Sequence, residues 1–432
     1  MEVIIISTLP KNIIFMVSDG MSTSMASAYR EYSSQRKDGF HDSSIFNHYL
    51  IGQQSTHSQD DMETVTDSGA SATALACGVK TKNGYIGLDR EKERVTSALE
   101  AAKAQGKKTG ICVTAEITHA TPAGFAAHVE DRMDFPRIAD QYFDDRIDGK
   151  FKIDLMAGGG RSHFLREDRN LVEEFKQAGY DIAYTFKDFQ EGEKSQSLGL
   201  FSNHGLPFAL DRDYRTLPTL KEMVETSIEK LNQDNDEGFF LMVEGSQIDW
   251  GAHNNDIVTT MGEIEDYAQA FEGAVEFAQK DGETLVISTS DHATGGMTMG
   301  TNDVANWYPE YIKDMTFTPA FLARDIMLRR DIEDTLAGLV GFKLSETEFN
   351  ELYAASRDYH LPRREVERNV KEQLSELINR RSNTGWTTEN HTGEDVNIYG
   401  YGPGSRLFQG WQDNTQLGQL LKQLAAGEEI DV

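Results

Sequence analysis

The carboxylates and histidines of this chain fall at the ends of apolar runs. Ser18-Asp19 follows Ile13–Val17, Glu244 follows Phe239–Val243, Asp291-His292 follows Thr284–Ser288, and Glu116 and His119 follow Gly110–Thr114. A short continuous apolar run reads as a strand buried on both faces, and in open α/β sheets ligands gather outside the carboxyl ends of the strands. Hard oxygen and imidazole donors at several such ends predict one polyvalent-cation site assembled from distant parts of the sequence. Asp249 and His253 add a second pattern. They stand four residues apart, so on a helix both side chains project from one face and can hold one metal ion. Asp291 and His292 are adjacent, and both reach one site only where the strand has opened into a loop; Thr294-Gly295-Gly296 supplies that freedom. His391, in the polar stretch Asn390-His391-Thr392-Gly393, is predicted to complete the set from a loop.

Ser68 is the candidate nucleophile. It opens Asp67–Gly78, a segment of small residues predicted to be a tightly packed helix. A serine at that position ordinarily caps the helix. No Gly-x-Ser-x-Gly elbow surrounds it, and the donors elsewhere are of metal-binding type. A hydroxyl activated by direct coordination to a divalent cation needs no histidine base.

The elements that must position these residues alternate. Between residues 11 and 300 strand-like runs and helical stretches follow one another, the βαβ signature of an α/β fold with a large, mainly parallel sheet and helices on both faces. Gly158-Gly159-Gly160 after Ile153–Ala157 predicts a strand-to-loop turn, and Gln177–Gly205 reads as polar and surface-exposed. Past Asn302 the character changes: aromatic residues around Pro309 lead into predicted helices at Ala320–Leu328, at Ile332–Val340, from Ser345 with Glu348 three residues on, and at Arg364–Ile378. The core motifs resume at His391. The chain is therefore expected to be one catalytic domain carrying a mostly helical 303–384 insertion, a lid or an interface. Val396–Tyr401 reads as the final strand, with Tyr399 and Trp411 packing the core.

The 432 residues include 71 acidic and 42 basic ones, a formal net charge of −29, with 38% hydrophobic content. An acidic surface is expected, which repels nucleic-acid backbones, so a general nucleic-acid-binding role is disfavoured. Any anion site must then concentrate positive charge from metals or arginine. Cys77 and Cys112 could pair, but each lies within a run of apolar or small residues, and buried thiols are the favoured reading. No run approaches the ~18 apolar residues of a membrane span, and Met1–Leu9 lacks signal-peptide features.

Together the motifs resemble the alkaline phosphatase family. The block Thr66-Asp67-Ser68-Gly69-Ala70-Ser71-Ala72-Thr73-Ala74 resembles its nucleophile motif, and His119-Ala120-Thr121-Pro122-Ala123 with Arg132, Glu244-Gly245 through Asp249 and His253, Asp291-His292, and His391-Thr392-Gly393 follow in the family's order. The resemblance implies a metal-dependent phosphomonoesterase working through a phosphoserine on Ser68. It implies Asp249, His253 and His391 as ligands of one zinc, Asp19, Asp291 and His292 as ligands of a second, and Asp19, Thr121 and Glu244 as ligands of a third ion, usually magnesium. Arg132 would grip phosphate through its planar fork, with Asp67 orienting it. Phosphate monoesters and inorganic phosphate are the implied ligands, a homodimer the implied assembly, and a periplasmic or secreted location the implied setting. Two positions depart from the best-known bacterial pattern. His119 replaces an aspartate near the third ion, which opens that site to zinc, and Trp250 replaces a lysine near phosphate, which predicts weaker phosphate retention. Phosphodiesterases, sulfatases and phosphosugar mutases of the same superfamily are the rival activities. A non-catalytic protein that keeps the fold is the rival of a different class.

Overall fold

The computed structural model describes residues 9–34, 44–329, 332, 336, 341–358 and 360–430. Ten strands form the central sheet: β1 (Asn12–Ser18), β2 (Leu50–Ser55), β3 (Lys108–Glu116), β4 (Leu155–Gly159), β5 (Asp181–Ala183), β6 (Ser197–Leu200), β7 (Phe239–Gly245), β8 (Thr284–Thr289), β9 (Val396–Tyr401) and β10 (Gly410–Asp413). Their spatial order is β10-β2-β9-β8-β1-β7-β3-β4-β6-β5. β9 is antiparallel to both of its neighbours, and every other pairing is parallel.

The period-two alternation of a strand divides the apolar runs between two cores. Ile14 and Met16 of β1, with Phe239, Leu241 and Val243 of β7, face the long helix Ile257–Asp281 and the helix Leu220–Asn232. Ile13, Phe15 and Val17, with Phe240 and Met242, face the helices Ser68–Cys77, Ala98–Ala104, Ala120–Ala126 and Asn414–Ala425. Both faces being covered explains why these strands read as continuous apolar runs rather than alternating ones.

Within 303–384, Pro319–Arg329, Glu346–Ser356 and Arg363–Ser382 are helices. Ser345 and Glu348 form the reciprocal cap their spacing predicts. The predicted helix 332–340 lies, apart from Ile332 and Leu336, outside the described residues. Leu322, Ile326, Val370, Leu374 and Ile378 join the core on the Ile257–Asp281 face, and Asp211 anchors the entry to the helix Pro319–Arg329 by accepting from the Thr318 amide and hydroxyl at 2.9 and 2.6 Å.

Five expectations are corrected. Gln177–Gly205 is not simply exposed: it contributes the edge strand β5 and its neighbour β6, short segments with Leu198 and Leu200 fully buried that fall below the length at which a strand stands out in sequence. Val396–Tyr401 is not the last strand, because β10 follows it and pairs with β2. Trp411 does not pack the core; on that edge strand it is 64% exposed and its indole N–H donates to Asp395, while Tyr399 is buried as expected. His391 does not sit in an open loop but in a two-residue ladder, paired with Thr294. The glycine turn begins two residues later than the triplet suggested: β4 runs through Gly159, where a Cβ would strike the His204 carbonyl, and the chain turns at Gly160 with φ of +92°.

Candidate active site

β8, β1 and β7 are neighbours and end level with one another, since Val17 pairs with both Thr289 and Glu244, while β3, with Val113 opposite Glu244, runs on to Glu116. Asp19, Glu244, Asp291 and His292 therefore emerge together, all of them fully buried. Asp249 and His253 enter from the helix Gln247–His253, which starts directly past β7. The ladder of Ala293–Thr294 with His391–Thr392 carries in His391. Gly20, at φ +76°, lets the chain pass Asp249 where a Cβ would lie 2.7 Å from the Asp249 Cα.

His253 Nε2 lies 3.2 Å from Asp249 Oδ2 and 3.1 Å from His391 Nε2, and His391 Nε2 lies 3.7 Å from Asp249 Oδ1. His292 Nε2 lies 3.3 Å from Asp291 Oδ2, 3.6 Å from Asp19 Oδ1 and 3.2 Å from Ser68 Oγ. The His292 and His391 rings stack with centroids 3.6 Å apart and join the two groups. His253 Nδ1 faces the Glu389 carbonyl and His391 Nδ1 the Thr66 carbonyl. Carbonyls only accept, so the network assigns the proton of each ring to Nδ1 and leaves two Nε2 lone pairs facing each other, an arrangement that a cation between them would stabilise.

The donor set fits divalent cations. Both carboxylate oxygens of Asp19 and of Glu244, Asp291 Oδ2, Thr121 Oγ1 and His119 Nδ1 are buried without a hydrogen-bond partner. Buried carboxylates without donors are costly unless positive charge balances them. Burial, reinforced by Asp291 and Asp249, pushes the Asp19 carboxyl well above the usual range. Burial likewise pushes Asp291 up to about 7, with Asp249 and Glu244 adding to it, and Glu244 up to about 7. Asp249 goes the other way: burial opposes ionisation, but His253 beside its Oδ2 and the imidazoles of His292 and His391 hold it below the carboxylate range. Among the described residues, three sets bring their ligand atoms within 4.8 Å of one another: Asp249-His292-His391, Asp19-Asp291-His292 and Asp19-His119-Glu244. The first differs from the sequence-based set in holding His292 rather than His253, although His253 Nε2 touches both other members.

Ser68 is the first residue of its helix, and the cap is Asp67, whose Oδ1 accepts from the Ala70 amide at 2.9 Å. Capping thus leaves the Ser68 hydroxyl free to point at His292. Asp67 Oδ2 accepts from the Gly84 amide and from Arg132 Nη1, both at 3.0 Å. His119 packs edge-on to Trp250 at 6.0 Å between centroids, and burial followed by repulsion from Arg132 lowers its pKa to about 4. Gly205 makes room for Trp250, since a Cβ there would lie 2.7 Å from the indole. Glu116 diverges from the cluster and faces His204 at 3.8 Å. Sequence reasoning missed Thr294, whose hydroxyl donates to Asp249 Oδ1 at 2.6 Å and stands 3.3 Å from His292 Nδ1. Its closeness to His292 in sequence was the available signal.

Residues 10–426 match the family described as alkaline phosphatase. The chain belongs to the alkaline phosphatase family. Alkaline phosphatase 3 of Bacillus subtilis is 46% identical over 412 residues, covering 95% of this chain and 87% of that one. The repressible alkaline phosphatase of Saccharomyces cerevisiae is 34% identical, covering 95% and 81%. A cold-active alkaline phosphatase from Shewanella superposes with a TM-score of 0.89 at 36% identity, over 96% of this chain and 99% of that one. A histidine-to-glutamate mutant of the TAB5 alkaline phosphatase, with magnesium bound in its M3 site, gives 0.70 at 27% identity over 98% and 99%. As an alkaline phosphatase, the protein is a phosphoric monoester hydrolase with the mostly parallel ten-stranded sheet of its relatives.

Proposed function

We propose that this alkaline phosphatase hydrolyses phosphate monoesters through a phosphoserine on Ser68, in a site holding two zinc ions and a third ion, magnesium or zinc. Asp249, His253 and His391 would hold the first zinc, Asp19, Asp291 and His292 the second, and Asp19, Thr121 and Glu244 the third ion, with His119 beside it. Bound there, the ions would supply Lewis acidity to the ester oxygens and acidify the serine hydroxyl and the attacking water. Ser68 Oγ bonds to phosphorus as the bond to the leaving alcohol breaks. Water then attacks the same phosphorus from the opposite side, regenerating the hydroxyl and releasing phosphate, and two inversions give net retention. Arg132 grips two non-bridging oxygens, and Asp67, 3.0 Å from its Nη1, fixes the guanidinium plane.

The observation that carries this reading is the Ser68 hydroxyl 3.2 Å from His292 Nε2, beside buried carboxylate oxygens that have no hydrogen-bond donor. The magnesium in the TAB5 relative supports a third ion, and an imidazole at position 119 favours zinc there more than an aspartate would. A homodimer, a periplasmic or secreted location, and a lid or interface role for 303–384 belong to the same proposal. Acid quenching during turnover of an aryl phosphate should trap phosphate on Ser68, and Ser68→Ala should lose about a thousandfold or more in kcat. Full activity in Ser68→Ala would refute covalent catalysis. Faster hydrolysis of a bis-aryl phosphate than of the monoester would favour the phosphodiesterase rival.

A further inference from the structure

Asn83, remote in sequence from every residue assigned above, lies against the segment that enters the nucleophile helix. Its Nδ2 donates to the Val65 carbonyl at 3.0 Å and to Glu63 Oε2 at 3.3 Å, and its Oδ1 accepts from the Asp67 amide at 3.2 Å. One planar amide therefore spans Thr66 by holding the carbonyl before it and the N–H after it, as a neighbouring strand would. Both bracketed residues have partners in the site. The Thr66 carbonyl accepts from His391 Nδ1 at 2.8 Å, and the Asp67 carboxylate holds Arg132 Nη1 at 3.0 Å. The next residue closes the same loop of contacts: the Gly84 amide donates to Asp67 Oδ2 at 3.0 Å, and the Gly84 carbonyl accepts from the Arg132 amide at 2.9 Å. Asn83 and Gly84 are the middle of a turn closed by the Tyr85 amide on the Lys82 carbonyl, with Gly84 at φ +86°. The turn is held from outside, because the Asn83 amide donates to Asp60 Oδ2 at 3.3 Å.

Resting on the proposed role of Arg132, we infer that Asn83 is a positioning residue for phosphate binding, setting the register of Val65–Asp67 so that Asp67 aims Arg132 at the phosphate oxygens. No other side chain among the described hydrogen bonds joins both the Val65 carbonyl and the Asp67 amide. Only an amide of this length offers a donor and an acceptor side by side. Aspartate keeps the acceptor but turns an anion toward the Val65 carbonyl and Glu63, and alanine removes both.

The test is a double-mutant cycle on the metal-loaded enzyme with Asn83→Ala, Arg132→Ala and the pair, reading KM and kcat for an aryl phosphate and the inhibition constant of inorganic phosphate. Asn83→Ala should raise KM and the phosphate inhibition constant about tenfold, the scale of one lost charge-assisted contact, with a smaller fall in kcat. In the Arg132→Ala background the same change should raise the phosphate inhibition constant by less than about twofold, because the group being aimed is gone. Equal effects in both backgrounds, or unchanged phosphate inhibition in Asn83→Ala, would overturn the inference. An unaffected Arg132→Ala would instead overturn the phosphate-binding role on which the inference rests, so the two failures are distinguishable. Should Asn83→Ala fail to fold, Asn83→Asp carries the same cycle with the same expected coupling.

Discussion

At the residue scale the site is built on the partners each donor lacks. Asp19 and Glu244 have no hydrogen-bond donor, whereas Asp67 has three, from Ala70, Gly84 and Arg132. That contrast separates carboxylates suited to a cation from one that orients an arginine. Trp250 brings an uncharged ring close to His119 where a lysine would add a cation, so on the proposed assignment phosphate would be held by one positive side chain fewer. Trp250→Lys should lower the inhibition constant of inorganic phosphate by about tenfold and slow product release, an added charge close to an anion being worth about 1–2 kcal/mol in a partly solvated site. Product-inhibition kinetics read this directly, and an unchanged constant would remove Trp250 from the phosphate site.

Helices set the geometry at the scale of elements. Gln247–His253 places Asp249 and His253 on one face, and Asp256 then restarts the chain as the cap of Ile257–Asp281, accepting from the Val258 and Thr259 amides at 3.0 and 3.1 Å. Burial raises the Asp256 carboxyl from 3.8 to about 6 despite those bonds. A carboxyl whose folded pKa lies above its unfolded one favours the fold below the unfolded pKa, and that contribution is lost as pH rises through the folded value. Asparagine keeps the capping oxygen and cannot ionise. Asp256→Asn should therefore exceed the wild type in stability by about 1–3 kcal/mol above pH 7, with the advantage fading toward pH 4. Urea unfolding at the two pH values checks it, and a pH-independent difference would be the wrong outcome. The C-terminal helix Asn414–Ala425 was not legible as part of the site. It packs on the nucleophile helix so closely that a Cβ at Gly418 would lie 2.1 Å from the Ala74 carbonyl, a contact between segments whose sequences carry no shared pattern.

For the whole molecule, the charge-dense end of the sheet sets the demand for metal. Asp19, Glu244, Asp249 and Asp291 lie buried against one another, and like charges at such range repel strongly in a dry site. Cations held there would stabilise the native chain by mass action, by about 4 kcal/mol at a thousand times Kd. Chelation should lower the thermal midpoint and abolish aryl phosphate hydrolysis together, and zinc return should restore both. Retained stability with lost activity would mean that the cations act on the substrate alone. The motifs around Asp67-Ser68 reached the family, and the alternating apolar runs reached the mainly parallel sheet. Neither reached β2, β5, β6 or β10, because short strands of mostly mixed polarity leave no periodic signal.

The sequence by itself determined which side chains could do chemistry and which runs would be buried, since residue type and period two are local properties. The tertiary structure decided what those side chains meet. The pairing of Val17 with Glu244 and Thr289 brings three strand ends level, the Thr294–His391 ladder delivers the last imidazole, and Asp67 takes the cap that Ser68 would otherwise have filled. Each is a long-range contact fixed by packing and strand register, and no pattern within one segment encodes its partner.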